Sequence, residues 1–173
     1  YWVHFAHLLV NGEKMSKSLN NFYTKTDIEN RGFDLLDLRY LFLISHYRAT
    51  MNFTWESVTG AKRALERLRL KVNSYKAAKK TEKEVKTTVL DYREKFTEAV
   101  NSDLNISEAL GITWKLVDDA KVSDFDKLNL ILEFDKVFGL RLGEDKESEI
   151  IIPEEIMTLV QKREELRAQK EWK

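Results

Sequence analysis

Apolar residues recur every three or four positions along most of this chain. The cleanest case is 55–78, where Val58, Ala61, Leu65, Leu68, Val72 and Tyr75 alternate steps of three and four. Such a stripe predicts a helix with one buried side, as in a bundle seam. Thr54 is a natural N-cap for it. Residues 34–47, DLLDLRYLFLISHY, predict a buried helix, with Asp34 as N-cap and Leu35, Leu38, Leu41/Phe42 and Ser45 at helical spacing. Farther on, Val85, Val89, Tyr92, Phe96 and Ala99 again step by four and three. Asn105 with Glu108 resembles a capping box opening a helix through Ala120. Phe125, Leu128, Ile131/Leu132 and Phe138 mark another helix, with Gly139 and Gly143 flanking its end. Pro153-Glu154-Glu155 then predicts a last one, with proline in its first turn, acids near its positive end, and Ile156, Leu159/Val160 and Leu166 on its apolar side.

Between these elements the pattern breaks. KAAKKTEKEVK, 76–86, is charged and poor in apolar residues, and reads as a frayed helix end and linker. The front of the chain is less regular. YWVHFAHLLV, 1–10, is an apolar run too short to separate helix from strand, and it leads as a strand into the Asn11-Gly12 turn. ATMNF, 49–53, reads as an extended link. The fold class is therefore mainly α: a short mixed head followed by four antiparallel helices.

Composition narrows the chemistry. The chain has 173 residues, enough for one large domain or two small ones with a real core. It has no cysteine, which removes disulfides and thiolate chemistry and is compatible with a reducing cytoplasm. No apolar run is long enough to span a membrane. His4, His7 and His46 have no ligand-like partners nearby in sequence and read as packing or surface histidines. Charge is uneven: residues 1–80 carry 14 Lys and Arg against 7 Asp and Glu, and residues 81–173 carry 15 against 22. A basic front half suits phosphates, although two differently charged solvated faces give the same count. Lys62, Arg63, Arg67, Arg69 and Lys76 lie mostly off the apolar stripe, as an RNA-facing surface or as a charged solvated face.

One loop stands apart: NGEKMSKSLNNF, 11–22. Lys14 and Lys17 place two ammonium groups on a turn that starts with glycine, Ser16 and Ser18 add hydroxyl donors, and Met15 is an adaptable apolar anchor or a surface for an adenine face. Such a loop can close on a polyphosphate and neutralise charge as it builds up. The string Lys14-Met15-Ser16-Lys17-Ser18 matches the KMSKS loop of class I aminoacyl-tRNA synthetases residue for residue. Trp2-x-His4, LRYLFLISHYR (38–48), MNFT (51–54), AKRALERL (61–68) and SDLNISEAL (102–110) together resemble the cysteinyl-tRNA synthetase family. Specific words cover most of residues 1–120; the remainder resembles the family in helical layout alone.

The resemblance implies a remnant of a Rossmann-like catalytic domain with the KMSKS loop at 1–22, a stem-contact region at 23–53, and an antiparallel helical tRNA-binding bundle at 54–173, incomplete at its C-terminus. It implies a cytoplasmic ligase that uses ATP to activate cysteine to cysteinyl-adenylate and transfers it to tRNA for cysteine. Lys17 would contact the ATP phosphates as a catalytic residue with Lys14, and Met15, Ser16 and Ser18 would complete the ATP-binding loop. The family's HIGH motif is not present in this sequence, nor are the cysteine, histidine and glutamate ligands of the zinc expected in the parent enzyme. The chain thus looks like a middle-to-C-terminal portion, inactive alone and with a mobile loop. Asn20-Asn21 stands where Gly-Asn is commoner, and Ile106-Ser107 where Thr-Pro is commoner. Two other readings are a cysteine ligase of mycothiol biosynthesis and a non-catalytic tRNA-binding or structural module.

Overall fold

The computed structural model describes residues 2–78 and 86–144. In chain order they form β1 (Leu8–Val10), β2 (Glu13–Lys14), α1 (Lys25–Asn30), α2 (Leu35–Ile44), β3 (Met51–Phe53), α3 (Trp55–Tyr75), α4 (Lys86–Asn101), α5 (Ile106–Asp118) and α6 (Asp124–Phe138). The fold is mainly helical with one small sheet. Strand order is β2-β1-β3, with β2 antiparallel and β3 parallel to β1. The helix read at Pro153 and most of the linker read at 76–86 lie outside the described residues.

Side chains close the helix starts. Thr24, Asp34 and Thr54 each accept a backbone N–H in the first turn while Asp27, Asp37 and Ser57 return the bond, giving α1, α2 and α3 full capping boxes. At α5 the Asn105 side chain accepts the Glu108 N–H, and its amide donates to Glu108 Oε2 at 2.8 Å, so the reciprocal bond runs between side chains.

The α3 stripe is buried as its spacing predicts, at all six positions from Val58 to Tyr75. Helix ends differ from the sequence reading. α3 stops at Tyr75 rather than 78, and α5 at Asp118 rather than Ala120. α2 stops at Ile44 rather than 47, because Ser45 turns extended and residues 46–48 engage the α4–α5 turn instead. Two faces are also rotated. α2 buries Asp37, Tyr40 and Leu41 while Phe42 is exposed. α6 buries Lys127, Leu130, Ile131, Phe134 and Phe138, with Phe125 and Leu128 only partly covered. The reason is the aromatic seam with α4: the Phe96 and Phe134 rings lie parallel at 3.8 Å, and Phe138 meets Phe96 edge-on at 5.5 Å. Lys127 is tolerated inside because its ammonium donates to the Val117 carbonyl at 2.9 Å, near the end of α5, and lies 5.6 Å from the Tyr75 ring.

The end of α6 ties the helices together. Gly139 takes a left-handed φ of 62°, and an added Cβ would meet the Arg39 guanidinium at 3.0 Å. Asp135 accepts the Leu140 and Leu142 N–H groups, each at 2.8 Å, and folds those two leucines into the core. Arg39 donates to the Phe138 carbonyl, and Arg69 to the Leu140 carbonyl at 3.1 Å. Arg67 sits 4.3 Å from the Trp114 ring, and Lys62 donates to the Gly32 carbonyl at 3.2 Å. On the basic side of α3, Lys62, Arg67 and Arg69 thus have partners within the protein, while Arg63, Arg67 and Lys76 are exposed.

Arg93 on α4 and Glu133 on α6 form a two-pronged ion pair, with N–O distances of 2.9 and 2.8 Å. The Arg93 hydrogen bonds hold the Glu133 carboxyl below its usual range. Its folded-state affinity for protons is thus lower than in the unfolded chain, so the pair contributes stability above the ordinary value of 4.5 and loses it as pH falls through the folded value. Both side chains are about two-fifths exposed, and the contribution is roughly 0.2–1 kcal/mol. Urea unfolding of the native protein and Glu133→Gln should show a stability gap of that size at neutral pH that closes in acid. A gap independent of pH would contradict the pairing.

Candidate functional site

The candidate site begins at the Asn11-Gly12 turn. Asn11 and Gly12 both have positive φ, 51° and 83°, the backbone of a two-residue hairpin turn of primed type. The turn is pinned to the neighbouring strand: Gly12 N–H donates to Asn52 Oδ1 at 2.8 Å and Asn11 N–H to the Phe53 carbonyl at 3.1 Å. β2 then places Lys14 opposite Leu9 on β1, with the Lys14 side chain in solvent.

Beyond β2 the chain turns on its own side chains. Met15 is half-buried, packs against the core, and lines a cavity of about 160 Å³ with Leu8, Tyr23, Ile28, Leu38 and Phe53. Asn21 crosses the loop: its side-chain oxygen accepts the Ser16 N–H at 2.7 Å, and its amide donates to the Lys14 carbonyl at 3.1 Å. The Ser16 and Ser18 hydroxyls lie 2.6 Å apart, and the Ser18 N–H donates to Ser16 Oγ at 3.1 Å. Residues 17–20 form a turn closed by Asn20 N–H on the Lys17 carbonyl at 3.2 Å. Asn20 has φ of 54°, a conformation glycine adopts freely and asparagine tolerates. This fits the glycine that commonly stands there in the family the motif resembles.

Met15 thus fastens the loop while Lys14 and Lys17 stay exposed. Among the described residues no carboxylate pairs with either lysine; Lys17 Nζ lies 5.9 Å from the Phe22 ring. The arrangement offers two cations with no carboxylate partner among the described residues and nearby hydroxyls on an anchored support, which suits an anion of several charges. The five residues read from sequence come together here. Sequence reasoning missed Asn21 as the loop's internal brace; its signal was an amide side chain a few positions after the motif. His4 and His7 are exposed, and His46 faces Asp103. Among the described residues no group of three His, Cys, Asp or Glu is placed to hold a metal, and no helix is long and apolar enough to cross a membrane. A larger groove of about 530 Å³ beside the sheet is lined chiefly by apolar residues such as Phe5, Leu8, Phe42 and Leu104.

Residues 1–63 match the family model of the tRNA synthetases class I (C) catalytic domain. The hairpin with Lys14 and the following loop with Lys17 lie inside that match. Over nearly its whole length the chain is also similar to cysteine–tRNA ligases. That of Chlamydia felis (strain Fe/C-56) is 37% identical across 99% of this chain and 38% of the relative. That of Chlamydia caviae is 36% identical across 100% of this chain and 39% of the relative. That of Brachyspira hyodysenteriae is 41% identical over 135 residues, covering 75% of this chain and 28% of the relative. The chain spans about two-fifths of the length of these two Chlamydia relatives.

Proposed function

We propose that this chain is part of a cysteine–tRNA ligase and supplies its ATP-phosphate loop and helices that contact tRNA. The observation that carries this reading is Lys14 on the hairpin and Lys17 on the braced loop after it, both exposed and, among the described residues, without a carboxylate partner, within the class I (C) match. In the reaction the cysteine carboxylate attacks the α-phosphorus of ATP, cysteinyl-adenylate forms and pyrophosphate leaves. Negative charge on the phosphate oxygens changes most in the transition state, where fixed cations act most strongly. Lys17 and Lys14 supply these charges, Ser16 and Ser18 supply hydrogen bonds, and Met15 holds the loop to the core. The cysteinyl group then passes to the 3′ end of tRNA for cysteine.

The parallel β1–β3 pair supports reading residues 1–22 as the end of a Rossmann-like catalytic domain. Residues 23–53 then form the stem-contact region, and the helices from 54 onward the tRNA-binding bundle. Zinc, implied for the parent enzyme by the family resemblance, does not fit the residues here: the chain has no cysteine and no ligand cluster among the described residues.

The test is cysteine-dependent exchange of pyrophosphate into ATP. The full-length protein should catalyse it with cysteine and not with serine. Residues 1–173 alone should show none, because the sequence holds no HIGH motif. Exchange by the isolated chain would overturn the division of the ATP site, and a full-length protein that charges an amino sugar instead of tRNA would favour the mycothiol-type ligase.

A further inference from the structure

The turn between α4 and α5 contains two successive non-glycine residues in left-handed backbone, Asp103 at φ 55° and Leu104 at φ 53°. This conformation is unfavourable, leucine tolerating it less well than aspartate, and it persists where surrounding contacts impose it. The turn's own backbone bonds, among them Asn105 N–H to the Ala99 carbonyl at 3.1 Å, close it, and the α2–β3 loop adds contacts to Asp103. Tyr47 OH donates to Asp103 Oδ1 at 2.6 Å, and Arg48 reaches Oδ2 at 3.1 Å. His46 Nε2 lies 3.1 Å from the Asp103 carbonyl oxygen. Arg48 Nε also donates to Tyr47 OH at 3.0 Å, and the His46 and Tyr47 rings stack at 4.7 Å. Three consecutive side chains converge on one residue of a turn 56 positions from Tyr47.

The same loop is bonded on its other side to the candidate site. Ala6, just before β1, donates its N–H to the Tyr47 carbonyl at 3.0 Å. β3 follows the loop, pairs with β1, and through Asn52 receives the Gly12 N–H at the hairpin turn. From Asp103 to Lys14, each link is a hydrogen bond, a strand pair or a few residues of chain.

We propose that Asp103 is a positioning residue that clamps the α2–β3 loop and thereby fixes the lysine-bearing hairpin relative to the helices. Tyr47→Phe removes one hydroxyl and keeps the ring against His46. Asp103→Asn keeps a residue that tolerates left-handed backbone and removes the charge that Arg48 meets. The clamp does not depend on the proposed function; its consequence, that RNA held along the helices is kept in register with the phosphate loop, does rest on it.

Amide hydrogen exchange on the 173-residue chain tests the clamp. Each variant should speed exchange at Ala6, Asn11 and Gly12 by about 10-fold, the double variant should be no faster than the singles, and amides within α6 should be unchanged. Unchanged hairpin amides, or equal acceleration in α6, would overturn it. In the full-length protein the same variants should lower kcat/KM for tRNA aminoacylation about 10-fold and leave pyrophosphate exchange within about twofold. Equal losses in both reactions, or in neither, would overturn the link to tRNA. A wild-type protein lacking both reactions would refute the functional reading, and the amide rates would still decide the clamp.

Discussion

Lys17→Ala in the full-length protein is expected to slow adenylate formation about 100-fold in kcat and to change KM for ATP by less than about threefold. The asymmetry follows from where the lysine sits. Lys17 is exposed and has no carboxylate partner among the described residues, so its charge is free to meet a phosphate. Its support does not depend on it: Asn21 braces Lys14 to Ser16, and Met15 packs on the core. Truncation should therefore remove a charge and leave the loop in place, with stability changed by no more than about 0.5 kcal/mol. On the function proposed above, Lys17 meets the departing pyrophosphate and stabilises the transition state more than bound ATP, and that difference appears in kcat. Single-turnover measurement of adenylate formation at saturating ATP reads it directly. A raised KM with unchanged kcat would mean that Lys17 only helps ATP bind.

How far the sequence discloses this protein depends on the range of each interaction. The α3 stripe was legible because 21 residues repeat one period and all its stripe positions face the core. The turn at Asn11-Gly12 was legible because Asn-Gly supplies two positive φ values without strain, whereas the two-residue β2 that makes it a hairpin was not read. α1 was missed: it has six residues and one buried apolar side chain, Ile28, so its signal lay in the Thr24–Asp27 cap rather than in periodicity. α2 is apolar on nearly every side, and spacing cannot choose its buried face when Tyr40 goes in and Phe42 stays out. The pairing of β3 with β1 joins segments some forty positions apart, and no local pattern marks it. The site divides in the same way. The lysines and serines were legible as a contiguous string. The Asn21 brace needed the folded loop, and the Asp103 clamp needed two distant turns brought together.

Phe134→Ala should be among the most damaging single truncations in the helical part, costing about 3–5 kcal/mol. Phe134 is 1% exposed, stacks face to face on Phe96, and is followed one turn later by Phe138, which closes the same cluster edge-on. Removing the ring deletes transfer energy and opens a cavity between α4 and α6 that two flanking aromatics cannot fill without leaving their own rotamers. For a chain of this size the cost corresponds to a fall in Tm of roughly 6–20 °C. Phe134→Leu, which refills part of the volume, should lose distinctly less. A fall below about 2 °C for the alanine variant would show that the seam is loosely packed or collapses freely. The contrast with Lys17→Ala is itself informative. One substitution removes chemistry and spares the fold, the other weakens the seam between α4 and α6. If Phe134→Ala is held well below its own Tm and still slows adenylate formation as much as Lys17→Ala does, then packing between α4 and α6 reaches the hairpin.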